Sequence, residues 1–315
     1  MYRYMLSRLG LLAISLIGLS MLVFMLLRVV PGDAAVFLAG ADNSNQAAVD
    51  EIRATLGLDD PVALQYLRWV GATLRGDLGE SLFTRETVAH ALLVRLPVSL
   101  ELGILSLGLA VLVALPVGII SALKQDSWTD QTLRFLSIIG LAVPNFWLGT
   151  MAIVFGSRYL NWIPPVGYES FWSSPSQNLQ QFMIPAVILG SGLSASLVRM
   201  LRSSMLEVLR EDYIRTARAK GLDTFSVVRR HMLKNAMIPV VTLFGIQAGF
   251  IVGGSVIIEN IFNLPGMGRL VIDAISRRDY PLVQGVVMAF GTFILMVNLV
   301  TDLVYVWLDP RISYR

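Results

Sequence analysis

The segment Leu102-Gly-Ile-Leu-Ser-Leu-Gly-Leu-Ala-Val-Leu-Val-Ala-Leu-Pro-Val-Gly-Ile-Ile-Ser-Ala-Leu123 contains no charged residue. A run of about 18 or more such residues is long enough to cross a hydrocarbon core of about 30 Å as a helix. Five further runs follow the same rule: Leu9 to Leu27, Phe135 to Ser157 with a single Arg just beyond it, a shorter one around Phe182 to Val198, Asn235 to Ile258, and Tyr280 to Thr301. Backbone polar groups inside a bilayer must be satisfied within the protein, which leaves helices or closed barrels, and barrel strands would need short alternating segments that are absent. The chain therefore reads as an all-α polytopic membrane protein with six transmembrane helices. Composition agrees. Of 315 residues, 55% are hydrophobic and 15% charged, against roughly 25% charged in soluble domains, and mean hydropathy is +0.66. Pro116, Pro144 and Pro185 lie inside the runs, where membrane helices tolerate kinks.

Arg3 and Arg8 precede the first run, and Ala39-Gly40-Ala41 imitates a leader cleavage site. The apolar core exceeds the 7 to 15 residues typical of a leader, and the triplet is far downstream, so a retained helix is expected. Arginine and lysine set the orientation. The segment between the fourth and fifth runs holds Arg199, Arg202, Arg210, Arg215, Arg218, Lys220, Arg229, Arg230 and Lys234, which marks it as cytoplasmic and puts both termini on the same side. Three segments follow: 1–30 as the N-terminal helix, 31–97 as a folded extracytoplasmic insert, and 98–315 as a five-helix core with a cytoplasmic loop at 199–235. Within the insert, Ala47 to Leu56 reads as a short helix. Asp60-Pro61 reads as an N-cap and first helical residue, starting a helix with Leu64, Leu67, Val70 and Leu74 on its apolar side until Gly76.

Much chemistry is excluded. There is no cysteine and there are only two histidines, His90 and His231, so thiolate and most transition-metal sites are out, and no metal site is expected. The net charge of +3 is small for a nucleic-acid binder. The only lysines, Lys124, Lys220 and Lys234, follow Leu123, Ala219 and Leu233, which rules out a phosphate-cradling G-x-x-x-x-G-K-[ST] loop. Gly192-Leu-Ser194-Ala195 imitates a serine-protease motif inside a span, but no histidine base lies in any span. Small residues here, Gly190, Ser191, Gly192, Ser194 and Ser196, fit close helix packing better. Glu101, Glu259 and Asp302 sit near span ends, where a carboxylate reaches water or an arginine. The polar span residues Asn145, Trp147, Gln247 and Asn298 are candidates for a translocation path or for helix joining.

The loop Arg199-Met-Leu-Arg-Ser-Ser-Met-Leu-Glu-Val-Leu-Arg-Glu-Asp-Tyr-Ile-Arg-Thr-Ala-Arg-Ala-Lys-Gly-Leu-Asp223 places Leu206, Leu209, Tyr213 and Ala217 on one apolar face. Gly221 stops that helix and Asp223 caps the next, giving a helical hairpin. The residues alone equally fit an ordinary positively charged loop in water.

Tyr213-Ile-Arg-Thr-Ala-Arg-Ala-Lys-Gly221 and Lys234-Asn-Ala-Met-Ile-Pro239 resemble the EAA loop of ABC-importer permeases of the dipeptide, oligopeptide and nickel branch. The resemblance extends along the chain, through Pro31-Gly-Asp33, Leu56-Gly-Leu-Asp59, Gln65-Tyr66, Gly76-Asp-Leu-Gly79, Pro144-Asn-Phe-Trp147, Glu259-Asn-Ile-Phe262, Pro265-Gly266, Arg278-Asp-Tyr-Pro281 and Asp309-Pro-Arg-Ile312. Arg215-Thr216 replaces the Glu-Ala of the general consensus, and Ala34 replaces the proline that often follows Pro-Gly-Asp. The resemblance implies a type I importer permease in the bacterial inner membrane, itself non-catalytic. Its implied partners are a second homologous permease, one or two cytoplasmic ATPase subunits that hold ATP and magnesium, and an extracytoplasmic binding protein. Glu211, Asp212, Arg215, Arg218 and Lys220 are then expected as rim contacts with the ATPase, Tyr213, Ile214 and Ala217 as docking or packing residues, and Gly221 as the turn. Short peptides are the expected cargo, with nickel, a nickel chelate or glutathione as alternatives within the family. A self-contained secondary carrier is the competing class, although no midplane carboxylate supports it.

Overall fold

The computed structural model describes residues 2–29, 49–50, 53–54, 59–165 and 167–308. Helices among the described residues include, in chain order, α1 (Tyr2–Val29), α2 (Val62–Leu74), α3 (Val88–Leu123), α4 (Trp128–Ala142), α5 (Asn145–Leu160), α6 (Pro175–Leu209), α7 (Asp212–Ala219), α8 (Thr224–Val227), α9 (Leu233–Ile261), α10 (Met267–Ser276) and α11 (Tyr280–Leu308), with a π-helical turn at Val228–Met232 between α8 and α9. No strand occurs among the described residues; one antiparallel bridge links Glu80 and Thr87. Among the described residues, five helical stretches are long and apolar enough to span a membrane, and α4 with α5 form a bent pair of the same apolar character.

That bend corrects the third predicted span. The run Phe135 to Ser157 is not one helix: α4 and α5 meet at 93°. Pro144 forces the break by pushing Val143 out of the helical region, to φ −84 and ψ 122, and its carbonyl then accepts from the Leu148 N–H to start α5. Pro116, Pro185 and Pro239 are instead absorbed within α3, α6 and α9. With 36 residues, α3 is about 54 Å long at 1.5 Å per residue, well beyond the hydrocarbon core. It starts upstream of the apolar run and passes through Pro97.

The chain divides into two compact units, one of Met1–Val98 with Pro265–Leu295 and one of Ser99–Leu264 with Met296–Arg315. In the first, α2 docks on α1. Ser20 Oγ and Tyr66 Oη share a hydrogen bond of 2.8 Å, and the Phe24 ring lies 5.3 Å from Tyr66 and 5.8 Å from Trp69. The docked face is therefore aromatic, and Leu64, Leu67 and Leu74, predicted as the packing side, point outward instead. Ring area explains the choice, because Tyr66 and Trp69 bury more surface against Phe24 than leucines would. Asp60 does not cap α2, whose first carbonyl partner is Pro61; it pairs with Arg68. Gly76 ends the helix at φ +85, as expected. Asp279, buried, caps α11 by accepting from the Leu282 N–H and also takes bonds from Ser81 Oγ and the Leu82 N–H. The short helix expected at Ala47 to Leu56 falls mostly outside the described residues, as do Pro31-Gly-Asp33, Ala34 and Asp309-Pro-Arg-Ile312; Val49, Asp50, Arg53 and Ala54 are helical.

In the second unit, α6 packs along α9 and α4. The small residues of α6 permit this closeness: a Cβ on Gly190 would meet the Ser106 carbonyl oxygen of α3 at 2.7 Å. Ser194 Oγ donates back to the Ser191 carbonyl, so the serine of the protease-like motif is bonded within α6 itself. Its core gathers Ala110 and Ala114 from α3, Leu201 and Met205 from α6, Ile214 and Ala217 from α7, and Val227, Val228, Met232, Ala236 and Val240 beyond.

Candidate functional site

The loop after α6 folds as a hairpin of two short helices. The apolar stripe expected to run unbroken from Leu206 to Ala217 is interrupted: α6 ends at Leu209, the Arg210 and Glu211 N–H groups turn back to Glu207 and Val208, and Glu211 is extended at φ −70 and ψ 142. The break re-aims α7, so that Ile214 (1% exposed) and Ala217 join the core while Tyr213 stays on the outside. An isolated helix of eight residues is unstable in water. Burying Ile214, worth about 1.5–3 kcal/mol, holds it in place.

Gly221 makes the turn. At φ +81 it occupies the left-handed region that side chains avoid. Its N–H bonds the Arg218 carbonyl, and the Leu222 N–H reaches the Ala217 carbonyl, closing the end of α7 in the double-bonded glycine stop. Asp223 then caps α8 by accepting from the Ser226 N–H; hydrogen bonding with the Ser226 side chain, then with its backbone, holds the Asp223 carboxyl below the ordinary value. The predicted cap and turn are both present.

On the outer surface, Glu211, Asp212, Arg215, Arg218 and Lys220 are all exposed, and Arg215 pairs loosely with Asp212 at 3.5 Å. Tyr213 Oη accepts from Asn235 Nδ2 at 2.8 Å, tying α7 to the start of α9. Sequence reasoning missed Phe225, which is 70% exposed in the hairpin, in a stretch flanked in sequence by Arg218 and by Arg229 and Arg230. A large aromatic projecting into solvent next to charges is the usual chemistry of an interface anchor; its signal was an unpaired aromatic in a polar loop.

A second feature was also missed. Asp130, fully buried in the first turn of α4, receives both arms of the Arg202 guanidinium from α6, Nε to Oδ1 at 2.8 Å and Nη2 to Oδ2 at 2.6 Å. Ser121 of α3 donates to Oδ1, and the Asp126 N–H to Oδ2 at 3.0 Å. One carboxylate thus joins the ends of three helices, next to the segment of α6 that leads into the hairpin. Arg202, counted as a loop charge, is a helix residue in this clamp. The pattern Ser127-x-x-Asp130 was the available signal, and Ser127 does cap α4.

The candidate path residues are dispersed. Asn145 starts α5 and is half-buried, with Oδ1 3.7 Å from where a Gly192 Cβ would lie. Trp147 is 48% exposed and Asn298 is exposed on α11. Gln247, in α9, has a buried Nε2 with no hydrogen-bond partner among the described residues. No hydrogen bond joins any two of them. Glu101 accepts from Tyr168 Oη at 3.0 Å, and burial, then this carboxylate, push the Tyr168 phenol up. Glu259, buried, accepts from Ser99 and Ser255. The expectation that these carboxylates reach water therefore fails for Glu259, which is fully buried on two serine hydroxyls. Among the described residues no group of three or more His, Cys, Asp or Glu side chains could hold a metal.

Residues 114–314 match the family described as "Binding-protein-dependent transport system inner membrane component", and residues 1–103 match its N-terminal companion. The chain belongs to this family. It is therefore a multi-pass permease subunit of the inner membrane, of a class that is typically non-catalytic and that implies ATPase and binding-protein partners. The permease is 40% identical over 338 aligned residues to the dipeptide transport system permease protein DppB of Escherichia coli strain K12, with all of both chains covered. It is 38% identical over 315 residues, again with full coverage, to the glutathione transport system permease protein GsiC of Salmonella paratyphi A. A crystal structure of the MetNI methionine ABC transporter in an inward-facing conformation shares its fold, with a TM-score of 0.55 at 18% identity over 69% of this chain and 96% of that one.

Proposed function

We propose that the permease forms one half of an ATP-driven import path for short peptides, and that the hairpin from Glu211 to Phe225 is the surface through which a cytoplasmic ATPase drives it. The hairpin's division of labour carries this reading. Ile214 and Ala217 root it in the same core as α6 and α9, while Arg215, Arg218, Lys220 and Phe225 face outward. A rooted lever with a charged rim and an exposed aromatic converts a partner's movement into helix movement. ATP and magnesium belong to the ATPase subunits, of which one or two kinds serve the complex, and a second, homologous permease completes the pore. Both termini and the hairpin are cytoplasmic, and an extracytoplasmic binding protein delivers the cargo.

The peptide assignment is supported by the full-length likeness to a dipeptide permease and by a neutral set of path candidates, Asn145, Trp147, Gln247 and Asn298, which suits zwitterions with varied side chains. Two experiments test the proposal. Arg215→Glu, Arg218→Glu and Phe225→Ala should each lower ATPase co-purification without lowering the thermal midpoint of the permease; unimpaired assembly and transport in all three would refute the docking surface. In vesicles with the complete assembly, di- to hexapeptides should stimulate ATP hydrolysis through the binding protein. Stimulation by glutathione or a nickel chelate but by no peptide would reassign the cargo, and uptake that persists without any ATPase would point to a secondary carrier.

A further inference from the structure

Val62–Leu74 falls in the stretch that composition places in the aqueous insert, yet its partners lie at membrane depth. The apolar window of α1 ends at Leu26. Ser20, whose hydroxyl meets Tyr66 at 2.8 Å, is about 9 Å short of that end at 1.5 Å per residue. Phe24, covered by Tyr66 and Trp69 until only 1% is exposed, also lies inside the window. Helix α2 therefore runs beside the last turns of α1 and not above them. Arg28 marks the boundary, its guanidinium 3.4 Å over the Phe24 ring and bonded to Gln65.

The face of α2 turned away from α1 is a leucine stripe. Leu64, Leu67, Gly71 and Leu74 recur at helical spacing, with the three leucines 38%, 65% and 83% exposed, and the exposed Arg68 and Arg75 flank them on one side. In water such a stripe would be an adhesive patch; at the headgroup boundary it is the stable arrangement, with arginine heads snorkelling to the surface. The outward residues of α1, Met21, Leu22, Met25 and Leu26, lie at the same depth and are at least half exposed, so the stripe continues a surface that already meets acyl chains.

We propose that α2 is an interfacial helix, embedded in the leaflet at which α1 emerges, with Leu64, Leu67 and Leu74 in contact with acyl chains. The proposal rests on α1 spanning the membrane. It makes the α1–α2 pair a lipid-anchored corner of the permease.

The chain has no cysteine, so single nitroxide labels can be placed at Leu67→Cys and Leu74→Cys, with Thr84→Cys as an aqueous reference and Ile14→Cys as a reference for the span. The sample is the complete transporter in lipid nanodiscs, its other subunits made cysteine-free. At both leucine positions, relaxation by molecular oxygen should exceed relaxation by chromium oxalate several-fold, as at Ile14. A pattern like that of Thr84 overturns the proposal in favour of a water-facing helix. Low access to both relaxants overturns it in favour of coverage by the second permease or the binding protein. An aqueous pattern at Ile14 itself would instead refute the spanning of α1, which separates the two failures.

Discussion

Two arginine–aspartate pairs flank the end of α6, and the same two side chains do opposite things in them. Arg202 and Asp130 are 17% and 0% exposed and bonded through both arms of the guanidinium; Arg215 and Asp212 are 76% and 95% exposed and 3.5 Å apart. The first pair, desolvated and satisfied by Ser121 and the Asp126 N–H besides, is a joint between helices. The second gains little from its own attraction in water and leaves its charges available to a partner. Burial, not residue type, separates a joint between helices from a pair left open to water.

The sharpest way to break the contrast is Arg202→Ala, which strands a buried carboxylate and should cost about 3–5 kcal/mol, read as a large drop in the thermal midpoint in detergent. Arg202→Lys keeps the charge and loses the fork, so its midpoint should fall between wild type and alanine; equality with wild type would mean that the bidentate geometry contributes nothing. Ile214→Ala comes next, at about 2–5 kcal/mol for a fully buried aliphatic, spent on detaching α7. It should reduce transport per ATP hydrolysed while the Arg202 joint keeps the rest of the permease assembled. Gly221→Ala meets no atom within 4 Å, so its cost is the left-handed backbone alone, about 1–2 kcal/mol, seen as faster amide exchange in α7 and α8. Smallest is Arg215→Ala, with no more than about 0.5 kcal/mol in stability. Its effect should appear only as weaker, more salt-sensitive ATPase association, and a midpoint shift as large as that of Arg202→Ala would erase the distinction between the pairs.

Much of this was legible from residue order. Uncharged runs predict spans because the bilayer imposes length and polarity on any crossing segment, and the hairpin's stop and cap at Gly221 and Asp223 follow from local backbone and side-chain geometry. Pro144 shows the limit of that reading: it breaks the helix at Val143, while prolines at 116, 185 and 239 stay inside helices, and the residue type alone does not distinguish them. The hairpin's single stripe failed for a related reason, because periodicity cannot say that the helix will pause at Arg210 and Glu211 to bring Ile214 inward.

Local chemistry, repeated along the chain, was enough to specify a helical membrane protein, most of its spans, a basic loop between the fourth and fifth of them and that loop's turn residues, since each depends on neighbours within a few positions; the permease reading rested on the resemblance. The rest required the assembled helices. Which of many arginines is buried, which face of α2 meets α1, and that Ser121, Asp130 and Arg202 converge are matters of contact between segments distant in sequence, where the free energy of burying a ring or pairing a charge outweighs any preference written in the local pattern.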